Sequence, residues 1–146
     1  ESKILIDNYY ENYPTLKEYM SKQIDFAREN GYVETLMGRR RYLTNINSQN
    51  GMIRSADERN AVNAPIQGSA ADIIKIAMKN IFNILNEKQF KSKMILQVHD
   101  ELVFDVHLSE LDKIKKVVKN SMENAVTLDI PLKVDIGTGK NWLEAH

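Results

Sequence analysis

Two adjacent acidic residues are the strongest candidates for chemistry in this sequence. Asp100 and Glu101 follow His99 and are flanked by two apolar runs, Met94 to Val98 and Leu102 to Val106. Two runs rich in β-branched residues around a short polar interruption predict a β-hairpin whose three-residue tip carries both acids. Adjacent carboxylates repel each other, so a cation should compensate them, and Mg²⁺ prefers hard oxygen ligands. The pattern indicates half of a magnesium site, but an ordinary acidic turn beside a packed or surface histidine has the same residues.

A row of hydrogen-bonding side chains precedes a long apolar segment. Arg59, Asn63 and Gln67 recur every four residues, so on a continuous helix they would share one face. All three donate hydrogen bonds, and the DNA minor groove offers acceptors at purine N3 and pyrimidine O2 that barely depend on sequence. The row therefore fits a contact with the minor groove, and it equally fits polar residues or caps on a helix surface.

Positive charge is concentrated in one stretch, although the net charge is zero. Residues 38–59 hold five arginines and two acids, whereas residues 1–37 hold four basic and seven acidic residues. The arginines of this stretch are Arg39, Arg40, Arg41, Arg54 and Arg59. Clustered guanidinium groups match the geometry and charge of phosphates. A solvated loop whose arginines pair with the acidic first segment would explain the same cluster.

Length and composition limit the remaining classes of protein. The 146 residues with 42% hydrophobic content suffice for one globular domain or part of one. The absence of cysteine excludes disulfide frameworks, thiolate nucleophiles and thiolate zinc sites. Since the sequence shows neither a signal-peptide pattern nor an apolar run of about 18 residues, we expect a soluble intracellular protein with no membrane partner.

Helices that would position these residues follow from periodicity and helix breakers. Two helices are expected in the first segment, over residues 2–13 and from Pro14 to about Asn30, where Gly31 ends the helix. A short helix should run from Ser55 to a break at Pro65, and a longer one should start at about Gln67 and bury Ile73, Ala77, Ile81 and Leu85. A last helix should carry the apolar stripe Leu111, Ile114, Val117, Val118 and Met122. Capping-box spacing at Ser69/Asp72 and at Ser109/Asp112 predicts helix starts at those two places.

Strands are expected in three places. They are a small hairpin of Tyr32 to Leu36 with Arg41 to Leu43, the two runs beside the acids, and a final strand over Leu132 to Ile136. The fold class is therefore α+β, with an antiparallel sheet, a hairpin that bears the acidic motif and helices packed on one face. The first 65 residues are mostly helical and are expected to belong to a neighbouring lobe.

Three segments, taken in order, closely resemble the C-terminal part of the polymerase domain of family A DNA polymerases of the bacterial DNA polymerase I type. They are Gly31 to Tyr42 (GYVETLMGRRRY), Asn63 to Asp72 (NAPIQGSAAD) and Gln97 to Phe104 (QVHDELVF), and Gly137 to Trp142 (GTGKNW) carries the likeness almost to the end of the chain. Three long motifs at matching spacing make the resemblance specific.

The resemblance implies a role for each candidate residue. Asp100 would be a catalytic, metal-binding aspartate of a palm-type sheet, and Glu101 a supporting catalytic carboxylate beside it. The DNA-binding residues would be His99 near the primer terminus, Arg59, Asn63 and Gln67 at the minor groove or its backbone, and Arg39, Arg40, Arg41 and Arg54 in phosphate or structural contacts. Two Mg²⁺ ions would be the cofactors of the intact enzyme.

The implied function is that of a DNA-directed DNA polymerase, active in DNA replication and repair in the bacterial cytoplasm near the nucleoid. Its partners would be primer–template DNA, deoxynucleoside triphosphates and the rest of the polymerase chain. Residues 1–65 would be the end of the fingers subdomain and residues 66–146 the end of the palm. The family's first catalytic aspartate and its nucleotide-gripping fingers helix have no counterpart in these 146 residues, so we expect a fragment that is inactive alone. A non-catalytic nucleic-acid-binding module and a metal-dependent nuclease remain as alternatives.

Overall fold

The chain is an α+β protein with two small antiparallel sheets, described over residues 2–145 by a computed structural model. Its helices are α1 (Ser2–Asn12), α2 (Pro14–Asn30), α3 (Gly51–Glu87), α4 (Leu111–Glu123) and α5 (Trp142–Ala145), with a 3₁₀ turn at Leu108–Glu110. Its strands are β1 (Tyr32–Glu34), β2 (Arg40–Tyr42), β3 (Lys93–Val98) and β4 (Glu101–Asp105). The mixed class is confirmed, but the described strands form two separate hairpins, β1–β2 and β3–β4, in place of one sheet. None of the described helices combines the length and the apolar character needed to cross a membrane.

The chain divides into two compact units, of which the first ends at Ser69 and the second begins at Ala70. In the first unit, α2 starts at Pro14 and ends at Gly31, as the sequence predicts. Gly31 has a φ of 75° and donates its N–H to the carbonyl oxygen of Ala27, which is the usual role of glycine after a helix. The small core of this unit consists of Ala27, Val33, Leu43, Ile46, Ala61 and Ala64.

Helix α3 continues through Pro65, so the predicted break there is wrong. Proline lacks an N–H and removes the donor that the carbonyl of Ala61 would otherwise use, which predicts a kink or an end. The helix persists across this point, where the Ser69 hydroxyl donates to the carbonyl oxygen of Pro65 at 2.5 Å. The predicted capping box is also wrong, because Ser69 and Asp72 both lie inside α3.

The same helix begins earlier than predicted. It starts at Gly51, not at Ser55, because the Asn50 side chain accepts a hydrogen bond from the N–H of Met52 at 3.0 Å. Asparagine is a favoured residue at this position, since its side-chain oxygen satisfies N–H groups that have no partner within the helix. The loop before α3 therefore ends at Asn50.

The buried face of α3 in the second unit differs by one residue from the prediction. Ile74 is buried and Ile73 is only half-buried. The buried residues of this face are Ile74, Ala77, Ile81 and Leu85. Steps of three and four residues follow the 3.6-residue period more closely than the uniform steps of four that were predicted.

Two helices cover one face of the β3–β4 hairpin, as expected. The buried core of the second unit is formed by Ile81 and Leu85 of α3 with Ile114 and Val118 of α4. Partly buried side chains that pack against this core are Phe90, Leu102, Phe104, Val106 and Met122. This packing fixes the base of the hairpin while its tip projects beyond the apolar contacts.

A single carboxylate connects the start of β3 to the start of α4. Glu110 accepts hydrogen bonds from the N–H groups of Lys91 and Ser92 and from the Ser92 hydroxyl, the last at 2.7 Å. The Ser92 oxygen in turn accepts the N–H of His107 at 3.0 Å. These hydrogen bonds hold the pKa of Glu110 below its ordinary range, with the Ser92 hydroxyl as the main cause.

The start of α4 does not use the predicted capping box. The Ser109 hydroxyl is hydrogen-bonded to Nδ1 of His107 at 2.8 Å and lies in the 3₁₀ turn that precedes the helix. Asp112 is within the first turn of α4, and Glu110 occupies the cap position without a side-chain cap hydrogen bond. The carboxylate of Glu110 is instead directed to the start of β3.

The predicted final strand over Leu132 to Ile136 does not form in the described part of the chain. Burial alternates along this segment, as a strand pattern requires, but no described strand lies beside it to supply backbone partners. The segment is held instead by a hydrogen bond from the N–H of Val134 to the Glu123 carboxylate at 3.2 Å.

Candidate functional site

The β3–β4 hairpin presents its acidic motif on a turn of two residues. Val98 pairs with Glu101 across the hairpin, so His99 and Asp100 alone form the turn, and both are exposed. The predicted three-residue tip is therefore wrong by one residue. Glu101 is the first residue of β4, opposite Val98, and is partly buried.

The turn has an uncommon backbone conformation. His99 has a φ of 53°, a left-handed conformation that suits glycine and costs most other residues roughly 1–2 kcal/mol. The side-chain amide of Gln97 donates to the carbonyl oxygen of His99 at 3.0 Å and fastens the turn to β3. Two-residue hairpin turns normally contain Gly or Asn at such a position. Strain of this kind concentrates at functional sites, which makes His99 and Asp100 candidates for such a site.

A β-bulge interrupts the hairpin behind the turn. Met94 pairs with Phe104 and Leu96 with Val103, so Ile95 is the extra residue on β3. Ile95 and Leu96 are both exposed, which breaks the simple alternation of buried and exposed side chains. Bulges bend a strand and increase its twist, and they are frequent beside functional sites.

The exposed carboxylate of Asp100 fits one ligand position of a Mg²⁺ site. Mg²⁺ requires octahedral oxygen coordination and usually binds through one or two carboxylates, with water and substrate phosphates as the other ligands. Within residues 2–145 no three His, Asp or Glu side chains are grouped to hold a metal ion. The hairpin can therefore supply one or two ligands, from Asp100 and Glu101, and the remaining ligands must come from other groups.

The predicted polar row lies in the first unit on one continuous helix. Arg59, Asn63 and Gln67 are all exposed on α3, and because the helix continues through Pro65 their four-residue spacing places them along one stripe. The guanidinium of Arg59 donates to the Ser55 hydroxyl, one turn earlier, at 2.9 Å. The stripe offers amide and guanidinium donors to any ligand that approaches this side of α3.

The arginines of the β1–β2 hairpin have different partners. Arg40 donates to the Glu34 carboxylate at 2.7 Å, and its guanidinium carbon lies 4.3 Å from the centre of the Tyr32 ring. The hydrogen bond to Glu34 raises the pKa of Arg40 above its usual range. Arg39 donates to the carbonyl oxygen of Gly68 at 3.1 Å. Both side chains therefore stabilise the local fold.

A small cleft gathers two arginines and one residue of the row. Its volume is about 90 Å³, and Arg39, Arg41 and Gln67 lie along its walls with Thr35 and Gly68. Arg41 is exposed on β2. The cleft brings Arg39 and Arg41 of the predicted arginine cluster next to Gln67 of the predicted row.

Arg54 stabilises the loop before α3. Its guanidinium donates to the carbonyl oxygen of Ser48 at 3.0 Å and lies 3.5 Å from the Glu58 carboxylate. Glu58 also pairs with Arg28 of α2 at 2.8 Å. Arg54 is thus engaged within the fold, and a phosphate contact of this residue stays a prediction.

Sequence reasoning missed the residues that dock the β1–β2 turn on α3. The Ser69 hydroxyl accepts the N–H of Leu36 at 2.8 Å, beside the contact of Arg39 with Gly68. Gly68 and Ser69 are small residues that follow a proline inside a helix, and this combination was the available signal for a close approach of another element.

Comparison with known proteins identifies the family. The model of DNA polymerase family A matches residues 1–144. The chain belongs to DNA polymerase family A. It is 52% identical over 145 residues to DNA polymerase I of Lactococcus lactis subsp. lactis and 48% identical over 145 residues to that of Bacillus subtilis. It covers 16% of the length of each of these relatives, and they cover 99% of it.

A solved structure agrees with the family A assignment. The POL domain of Pol1 from M. smegmatis, in complex with DNA primer-template and dNTP, matches 99% of this chain with a TM-score of 0.97 and 43% sequence identity. The matched part is 26% of that chain. Family A DNA polymerases generally use divalent metal ions.

Proposed function

We propose that this chain acts, as part of a longer polymerase, in DNA-directed DNA synthesis at a primer 3′-hydroxyl in the bacterial cytoplasm. The observation that carries the proposal is the agreement, over nearly the whole chain, with a POL domain that was solved with DNA primer-template and dNTP. The exposed Asp100 on its strained two-residue turn provides a chemical group suited to this reaction.

In this proposal Asp100 is a ligand of catalytic Mg²⁺ and Glu101 supports it. When held by Asp100 and by ligands from the rest of the polymerase, Mg²⁺ would supply the positive charge that lowers the pKa of the primer hydroxyl and neutralises the triphosphate with its leaving group. The contribution of the chain is to hold an oxygen ligand at a fixed point, which the two-residue turn and the Gln97 hydrogen bond favour. The other protein ligands belong to other parts of the polymerase, because the described residues hold no complete metal cluster.

The DNA contacts in this proposal follow from exposed hydrogen-bond donors. Arg59, Asn63 and Gln67 face the minor groove, whose N3 and O2 acceptors allow a test of base-pair shape without reading sequence. His99 approaches the primer terminus beside Asp100. Arg41 is exposed on β2 and is the best phosphate contact among the clustered arginines, since Arg39, Arg40 and Arg54 are engaged within the fold.

The subdomain assignment also belongs to the proposal. We assign residues 1–65 to the end of the fingers and residues 66–146 to the end of the palm. The division into compact units falls at Ser69 and Ala70, close to this boundary, which supports the assignment.

Substitution of Asp100 in the full-length polymerase tests the metal role. Asp100→Asn should lower kcat for primer extension by at least about 100-fold, because it removes charge stabilisation needed in the transition state. Binding of primer–template should change by less than about threefold, since phosphate contacts dominate affinity. Single-turnover extension and fluorescence anisotropy measure the two quantities.

Asp105→Asn is the matched control, because Asp105 is an exposed acid at the other end of β4. It should change extension by less than about twofold, as most exposed sites do. Equal loss of extension and binding in Asp100→Asn would contradict the metal role. Full extension by that variant would also contradict the metal role. Absence of primer extension by the unaltered full-length protein would contradict the proposed function.

A further inference from the structure

Helix α3 is locally weak at the turn that carries Gln67. Pro65 deprives the Ala61 carbonyl of its helical donor, and Gly68 is the least favourable helix residue apart from proline. Gln67 lies between these two residues on the exposed stripe. The direction of its side chain therefore depends on support from outside the helix.

The β1–β2 turn supplies this support through two hydrogen bonds. The Ser69 hydroxyl accepts the N–H of Leu36 at 2.8 Å and donates to the carbonyl oxygen of Pro65. Arg39 donates to the carbonyl oxygen of Gly68 at 3.1 Å. The turn is thus attached to the helix at Gly68 and Ser69, directly after Gln67, and the Ser69 hydroxyl extends this contact back to Pro65.

The contact is too close for a side chain at position 68. A Cβ atom on Gly68 would lie 2.5 Å from Cγ2 of Thr35 and 3.3 Å from a guanidinium nitrogen of Arg39. The turn itself is well defined, because the Thr35 hydroxyl accepts the N–H of Arg39 at 3.1 Å and Gly38 has a φ of 76°. A rigid turn therefore rests directly on the backbone of α3.

We infer that the β1–β2 turn splints α3 at Pro65–Ser69 and sets the direction of Gln67, which makes Arg39 and Ser69 positioning residues for the contact of Gln67 with the primer–template. The inference rests on the proposed function, since it assigns a structural support to one of the proposed DNA contacts. The shared cleft of Arg39 and Gln67 places the support next to the side chain that it positions.

A double-mutant cycle in the full-length polymerase tests the inference. Ser69→Ala removes one neutral hydrogen-bonding group and should lower kcat/KM for extension of a matched primer roughly fivefold. In a Gln67→Ala background the same change should lower kcat/KM by less than about twofold, because the residue that it positions is absent. Arg39→Met should behave in the same way.

Two further variants separate positioning from general damage. Ser69→Thr keeps the hydroxyl and should restore at least half of the lost kcat/KM. Ser21→Ala, the same substitution at an exposed serine of α2, should leave kcat/KM unchanged within about twofold.

The outcomes distinguish the positioning role of Ser69 and Arg39 from the proposed function. Equal losses from Ser69→Ala with and without Gln67, in an enzyme that extends primers normally, would overturn the positioning role and leave the proposed function intact. Absence of primer extension by the unaltered full-length protein would overturn the proposed function, and the inference with it. A fivefold loss that disappears without Gln67 and returns toward normal with threonine would establish the positioning role.

Discussion

At the scale of single residues, His99 shows a conflict between stability and position. Its left-handed backbone is unfavourable for histidine, yet it places Asp100 on the shortest practical turn between β3 and β4. A sequence selected for stability alone would have glycine or asparagine there. The strain is consistent with the proposed place of His99 at the primer terminus.

Replacement of His99 should separate these two effects. His99→Gly should be more stable than His99→Ala by roughly 1 kcal/mol, because glycine adopts positive φ without a steric penalty. Both variants should lower primer extension in the full-length polymerase. Urea denaturation of the 146-residue chain measures the stability, and equal stability of the two variants would contradict the left-handed turn.

The sequence predicts the exposed position of Asp100 but not that Glu101 lies in a strand. An acid between two apolar runs identifies a hairpin tip, since charged residues avoid the packed ladder. The register cannot be read in the same way, because His-Asp has no recognised turn signature, unlike Asn-Gly. The sequence therefore predicts Glu101 in the turn, whereas the structure has it as the first residue of β4.

At the scale of elements, the continuous α3 is the main departure from the prediction. Proline lacks a backbone N–H and therefore predicts the end of a helix near Pro65, as it would in an isolated helix. Contacts from a hairpin more than 25 residues away along the chain stabilise the interrupted turn, and periodicity within a short window contains no information on such contacts. In contrast, the end of α2 at Gly31 depends on local conformation alone and was predicted correctly.

Gly68→Ala tests how closely the hairpin and α3 approach. Alanine favours a helix over glycine by about 0.5–1 kcal/mol, but the added methyl group would be 2.5 Å from Thr35. Overpacking of this kind usually costs about 1–3 kcal/mol, so we expect net destabilisation of the 146-residue chain. Urea denaturation measures it, with Ser21→Ala as the exposed control; a more stable Gly68→Ala chain would contradict the close approach.

Glu110 should make the contact between β3 and α4 sensitive to acid. Its pKa is lowered in the folded protein, so its stabilising effect is complete above the ordinary glutamate range, about pH 4.3, and is lost as the pH falls below it. Glu110→Gln should therefore lower the thermal midpoint of the 146-residue chain at pH 7 more than at pH 3.

The matched control for this pH dependence is Glu87→Gln, at an exposed glutamate that ends α3. It should shift the midpoint little at either pH. A loss in Glu110→Gln that is the same at both pH values would show that the carboxylate charge has no part in the contact.

At the scale of the whole molecule, the described residues divide the proposed chemistry between two units. The first unit carries the polar row and the second carries the acidic turn. Large apolar side chains are also exposed, among them Ile4 and Leu5 of α1 and Ile95 of β3. Both features are expected of a chain that covers 16% of the length of its relatives.

The 146-residue chain should not extend a primer by itself. In the proposed function Asp100 and Glu101 supply one or two metal ligands, and the described residues contain no group of three possible ligands, whereas two-metal catalysis needs a fuller set. A primer-extension assay with Mg²⁺ and all four triphosphates measures this, with circular dichroism as the control for folding. Incorporation of nucleotides by the folded chain would show that the catalytic groups are complete within it.

The tail of the chain has a practical consequence for spectroscopy. Gly137 and Gly139 allow the backbone to lie against α5, where Asn141 and Glu144 exchange hydrogen bonds around the only tryptophan, Trp142. The indole is half-exposed and is not a member of either hydrophobic cluster. Its fluorescence in the 146-residue chain would report detachment of the segment 137–145. Tryptophan emission would therefore follow this local change during melting, whereas far-ultraviolet ellipticity would follow the loss of the helices.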